Sequence, residues 1–162
     1  MSRILAAVLA LAALTAAALL VGPGASAQSP AGRTITFTEL EKGSTFKHVR
    51  NTKPKSARSN LLGDVIVFAN RIADTSGKLI GKNHAVCATT VEARSFPKSV
   101  ITCQGSVVLG DGTMTWQGAF KVGGSSSTSA ITGGTGAYAN ARGVVVSKQG
   151  QGGTHDTITL VG

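Results

Sequence analysis

The stretch Gly110-Asp111-Gly112-Thr113-Met114-Thr115-Trp116-Gln117-Gly118-Ala119-Phe120-Lys121-Val122 decides the fold class. Gly-Asp-Gly is a strong two-strand turn signal, because glycine reaches the positive φ that tight hairpins need. Beyond it, Met114, Trp116, Gly118, Phe120 and Val122 fall on one face, the period of two of a strand with one buried side. Upstream, Ser99 to Leu109 leads into this turn, and Leu79 to Glu92 precedes it across a corner at Phe96-Pro97. Further back, Asp64 to Asn70 is a strand rich in β-branched residues, followed by turn chemistry in Asp74-Thr75-Ser76-Gly77-Lys78.

The first strand opens at Arg33, where Thr34, Thr36 and Thr38 alternate with Ile35 and Phe37. Lys42 to Asn60 is polar, basic and without strand periodicity, and reads as a long loop. Downstream, Gly123 to Ser127 is a turn. Thr128 to Thr132 and Arg142 to Lys148 bracket a glycine-rich corner, and Thr157 to Val161 closes the chain. About eight short strands with regular turns, and no convincing helix, predict an all-β domain, a closed barrel or a sandwich. An eight-stranded barrel has no exposed edges and can enclose one small ligand.

The leader stands apart from this pattern. Met1-Ser2-Arg3 supplies a positive charge, Ile4 to Val21 is an apolar run, and Gly22-Pro23-Gly24 and Ala25-Ser26-Ala27 form a breaker and a small-residue exit. Residues 1–27 therefore read as a cleaved signal peptide, residues 28–32 as a short leader and residues 33–162 as one β-barrel domain of a secreted protein. The alternative, a retained membrane anchor, fits the breaker and exit less well; after cleavage no membrane association is expected. The chain carries 16 Lys plus Arg against 7 Asp plus Glu, a formal charge of +9. Such a surface attracts polyanions, but export sets nucleic acid aside as a partner. Cys87 and Cys103 lie equally far from the Phe96-Pro97 corner, which suits a cross-strand disulfide in an oxidising compartment. Neither has a second ligand at zinc spacing, and no phosphate-binding loop or Ser–His–Asp order emerges. Neither a metal nor a cofactor is expected.

Three segments together resemble the allene oxide cyclase and dirigent barrel superfamily. They are Gly63 to Asn70 with Asp74 to Gly81 behind it, Val86-Cys87 in the following strand, and Ile131 to Tyr138 running on to Ala141-Arg142-Gly143. The resemblance covers most of residues 34–162. It implies an eight-stranded antiparallel barrel, often a homotrimer, with a pocket at one mouth for a small hydrophobic molecule.

It also implies site residues. Plant allene oxide cyclases hold a water between a Glu and an Asn two residues apart on the first strand. Aligning on Gly43-Ser44 puts Thr36 and Thr38 at those places, so the carboxylate would be missing. Asn70 matches a family asparagine that helps hold the water, and Cys87 a pocket cysteine. The expected ligand-binding set is thus Thr36, Thr38, Asn70 and Cys87, with Asn70, Thr36 and Thr38 as the catalytic candidates. On a regular strand Glu39 would need a bulge to turn inward with the threonines. Asp64 reads as either a pocket acid or a turn residue. His48, among Lys47, Arg50, Lys53, Lys55 and Arg58, suggests steering of an anionic ligand or simply a solvated loop.

Three functions fit these residues. One is a barrel that binds a small hydrophobic molecule and isomerises or cyclises it. The second is a non-catalytic, dirigent-like barrel that binds a ligand or guides its stereochemistry. The third is a basic surface protein that holds acidic polymers. Titration against an anionic polymer at two salt concentrations tests the third: binding that ignores salt excludes it.

Overall fold

A computed structural model describes residues 32–51, 62–93 and 95–161. The proposed signal peptide lies outside the described residues. Eight antiparallel strands close into one barrel in chain order. They are β1 (Thr34–Val49), β2 (Val65–Ala73), β3 (Leu79–Val91), β4 (Val100–Leu109), β5 (Gly112–Lys121), β6 (Ser126–Gly136), β7 (Arg142–Gly150) and β8 (Gly153–Val161). A single short 3-10 turn, Phe96–Lys98, makes the corner between β3 and β4. β1 closes the barrel on β8, with Ile35 opposite Ile158 and Leu40 opposite Gly153.

The strand pattern behaves as the alternation requires. On β5, Met114 and Trp116 point inward and are buried, while Thr115 and Gln117 face solvent. The Asp74 turn is tied by its own side chain, whose Oδ1 accepts the backbone N–H groups of Ser76 and Lys78 at 2.9 and 3.0 Å. The hydroxyl of Ser76 adds to this and, first among several causes, holds the Asp74 carboxyl below its ordinary value.

Two segments differ from the sequence reading. The polar stretch from Lys42 does not leave the sheet: β1 continues to Val49 and pairs with β2 throughout. A bulge interrupts the pairing, since Leu40 lies opposite Arg71 while Thr45 lies opposite Ala69. Gly43 makes it possible, with φ +79° and the Arg71 side chain packed where a Cβ would sit. The rest of the expected loop, residues 52–60, lies outside the described residues. Similarly, Gly133 to Gly136 is not a corner but the second half of β6, whose glycines let β5 and the Tyr138 turn approach closely.

The barrel is packed unevenly. Ile72, Met114, Ile131, Tyr138, Ile158 and Leu160 are fully buried. Tyr138 sits on the Arg33 side, its ring under the Arg33 guanidinium at 5.2 Å and its hydroxyl donating to Asp111 at 3.2 Å. Trp116 packs against Gly105, where any Cβ would come within 2.5 Å of the indole.

Cys87 and Cys103 lie directly opposite on β3 and β4 and form a disulfide, both buried in the core. It closes a loop of 16 residues. Replacing both cysteines with alanine is expected to lower stability by about 3 kcal/mol, measured by urea unfolding of oxidised protein and the double variant. An unchanged midpoint would mean the barrel does not depend on the link.

Candidate functional site

A cavity of about 260 Å³ opens among side chains from all eight strands. Five aromatic side chains line it, Phe37, Phe46, Phe68, Trp116 and Phe120, alongside polar ones that include Ser127, Ser129, Gln149 and Thr154. Four of its side chains form a connected chain. The indole N–H of Trp116 donates to Asn83 Oδ1 at 2.9 Å. Asn83 in turn donates through Nδ2 to Glu39 Oε1, and Asn70 donates through Nδ2 to Glu39 Oε2. Across the cavity the hydroxyl of Ser147 donates to Asp156 Oδ1.

Glu39 and Asp156 are both buried, at 9% and 3% exposure. Two amide donors aimed at Glu39 suit an ionised carboxylate. Asp156 is in the opposite situation. Burial first, and then the neighbouring Glu39, push its carboxyl up to about 8 from an ordinary value of 3.8, against a smaller opposing effect of Ser147. Its Oδ2 has no hydrogen-bond donor to accept from. A proton on Asp156 resolves this, because the carboxylic acid can then donate to Glu39 instead of confronting it. At neutral pH Asp156 thus keeps its proton inside the cavity. That is a carboxylic acid poised to donate, beside a carboxylate poised to accept.

The expected site residues fall into two groups. Asn70 lies in the cavity wall, on Glu39. Thr36 and Thr38 do not: Thr36 is exposed, and the Thr38 hydroxyl meets His155 Nδ1 at 3.0 Å on the outer face. The inward face of early β1 is instead Ile35, Phe37 and Glu39. Glu39 therefore points inward on regular strand, and the bulge comes after it. Past the bulge the parity reverses, so that Phe46, opposite Phe68, returns to the cavity. Aligning across the bulge counted the strand one residue out, and a one-residue slip exchanges the two faces. The inward carboxylate of β1 is Glu39, three positions after Thr36. Cys87 points inward but belongs to the disulfide and does not line the cavity.

Sequence reasoning missed Asp156, yet it shares a face with Ile158 and Leu160, and that alternation was available to find it. Asp64 is neither pocket acid nor simple turn. Fully buried, it accepts from the Asn51 N–H at 2.9 Å and meets His48 Nε2 at 3.1 Å, which fixes both ends of the 51–64 connection. His48 is accordingly a strand residue packed near Phe96, outside the cavity lining. A wider groove of about 500 Å³ crosses the outside of the sheet past His84, Gln104 and Gln117. Among the described residues its lining contains no carboxyl group, whereas the interior cavity holds two.

A closed eight-stranded antiparallel barrel is the architecture the three sequence segments implied. The profile of the allene oxide cyclase barrel-like domain matches residues 45–158. The chain belongs to that family. No curated protein matches it significantly in sequence. Among solved structures it is similar to a pyocyanin demethylase, at 21% identity and TM-score 0.67, over 80% of this chain and 100% of the other. It is also similar to a Diels Alderase from Streptomyces koyangensis, at 19% identity and TM-score 0.60, over 79% of this chain and 64% of the other. A pterocarpan synthase dirigent protein shares 16% identity at TM-score 0.59, over 82% of this chain and 95% of the other. At these identities the likeness concerns the fold. Barrels of this fold thus occur in proteins named as a demethylase, a Diels Alderase and a dirigent protein, and an activity has to be argued from each interior.

The raised Asp156 value has a consequence for stability. Folded Asp156 keeps its proton up to about pH 8, whereas the unfolded chain releases it near 3.8. The contribution is fully present below the unfolded value and is lost as pH rises through that interval to the folded value. The Asp156→Asn variant, which cannot ionise there, is expected to lose less stability than wild type between pH 5 and pH 9. Thermal melts of both proteins across that range check this; parallel curves would show that Asp156 is ionised in the folded state.

Proposed function

We propose that this protein is an exported barrel that binds a small hydrophobic molecule and isomerises or cyclises it by proton transfer from Asp156. The reading is carried by one arrangement: Asp156 keeping its proton beside Glu39 inside the cavity. The cavity is just below the range of about 300–1,000 Å³ typical of drug-sized ligands, which suits a small substrate or one that protrudes from the mouth. Phe37, Phe68 and Trp116 would hold the substrate in a reactive conformation. Asp156 would protonate an oxygen, nitrogen or carbon of the substrate as charge develops. Glu39, held by Asn70 and Asn83, would take a proton back from a neighbouring atom. Such a transfer leaves Asp156 ionised and the proton on Glu39; passage of that proton from Glu39 back to Asp156 restores the starting state, and no cofactor is consumed. The disulfide supports an oxidising compartment, in keeping with export.

The runner-up is a dirigent-like role, in which the same cavity binds and orients a reactive molecule without proton transfer. It shares every binding residue with the first reading and differs only at Asp156. A ligand recovered by native mass spectrometry from the purified protein, then returned to it in D₂O, separates the two. Wild type is expected to give a rearranged product with deuterium at one position. Asp156→Asn is expected to bind equally well but turn over about 10²-fold more slowly. Equal rates in both proteins would leave the dirigent-like reading in place.

A further inference from the structure

The interior also specifies the charge of the molecule it takes, an inference that rests on the ligand-binding reading above. The chain has few aromatic residues, 4% in all, yet four of its five phenylalanines and its only tryptophan line this one cavity. Their ring faces carry negative potential. Both acidic side chains of the wall, Glu39 and Asp156, add to it, and among the described residues no Lys, Arg or His lines the cavity. The whole chain nevertheless has a net charge of +9. Basic residues crowd the outside, while the interior has the opposite sign. An anion entering would meet ring faces, a carboxylate and only neutral donors such as Ser127, Ser129, Gln149 and Thr154, with no positive group to offset its charge. Phe46 sits at the mouth, 64% exposed although it lines the cavity, so an entering ligand would cover a ring face now in contact with water.

We propose that the cavity takes an organic cation, one whose charge is alkylated or spread over a ring. A quaternary or ring-delocalised ammonium is weakly hydrated, so its transfer into an aromatic cage costs little water, and the ring faces attract it. Glu39 supplies the counter-charge at the cavity's polar wall, and its two amide donors hold it in place. A compact, strongly hydrated ammonium such as that of lysine gains less, because it gives up more water for the same faces. The basic exterior slows approach of a cation at low salt and is screened over about 8 Å at physiological ionic strength.

Isothermal titration calorimetry with three probes of one shape tests the proposal. They are phenyltrimethylammonium, its uncharged isostere tert-butylbenzene, and the anion 4-tert-butylbenzoate. The cation is expected to bind on the order of tenfold tighter than the isostere, and the benzoate not measurably. Glu39→Gln should bring the cation down to the isostere's affinity while leaving the isostere unchanged. Phe46→Ala, which leaves the acid pair intact, should also narrow the gap and serves if Glu39→Gln does not fold. Equal affinity for cation and isostere overturns the charge selectivity but leaves the ligand-binding cavity standing. Tightest binding by the benzoate, weakening with added salt, overturns it in favour of the basic surface. Binding of none of the three overturns the charge proposal and counts against the ligand-binding reading itself.

Discussion

A carboxylate inside a narrow barrel must be given donors to replace its lost water, and most of the interior follows from how Glu39 meets that requirement. Its two oxygens take one amide each, from Asn70 on β2 and Asn83 on β3. Asn83 is fixed in turn by the Trp116 indole on β5. Three neighbouring walls of the barrel are thereby committed to one charge. The same arrangement leaves Asp156, buried on β8, with only the Ser147 hydroxyl donating to Oδ1 and nothing donating to Oδ2, and Asp156 responds by keeping its proton. The two carboxyl groups of the cavity are thus held in different surroundings and separated by who donates to them.

The bulge of β1 is the second constraint. A strand of 16 residues is too long and too regular to serve both the packed half of the barrel and its mouth with one unbroken alternation. Inserting extra residues between Leu40 and Thr45 shifts the register by an odd count, so Phe37 and Glu39 point inward before it and Phe46 after it. Without that shift Phe46 would face solvent on the outer wall, and the mouth would lose its ring. Ser44 stabilises the irregular segment by donating to the Leu40 carbonyl and accepting the Arg71 N–H at 3.2 Å.

These two features also mark where the sequence could and could not be read. Strand number, hairpin turns and the cross-strand disulfide were legible because each rests on local signals: alternation at Met114 and Trp116, glycine turns, and two cysteines at equal distance from a corner. The family was legible from three separated segments. The cavity face was not. It depends on the parity of β1, and parity on either side of a bulge is set by an insertion that leaves only a glycine and a serine as its trace. Counting back from Gly43-Ser44 gave Thr36 and Thr38, one residue away from the inward side. Asp156 was legible in principle, sharing its face with Ile158 and Leu160, but a charged residue in a buried row reads as a break in the pattern until its partner Glu39 is placed opposite. The polar run after Lys42 misled for a related reason. A strand at a barrel mouth has one wet face and one ligand-facing side, so its residues lack the apolar alternation by which strands are recognised.

The contrast between outside and inside bears on how such a barrel can act. The chain is net positive, yet the charged residues lining the cavity, among the described residues, are the acidic Glu39 and Asp156, so under the proposed reading a positive centre would be favoured inside it. Charge that develops on a substrate during rearrangement meets the same field. A transition state with cationic character is therefore stabilised by the ring faces and Glu39 more than its neutral precursor, whereas one with anionic character is not, unless Asp156 protonates it first. Rearrangements that begin with protonation satisfy both conditions at once, because the proton from Asp156 creates the positive charge that the walls then hold, and the Asp156 carboxylate left behind faces it as a counter-ion.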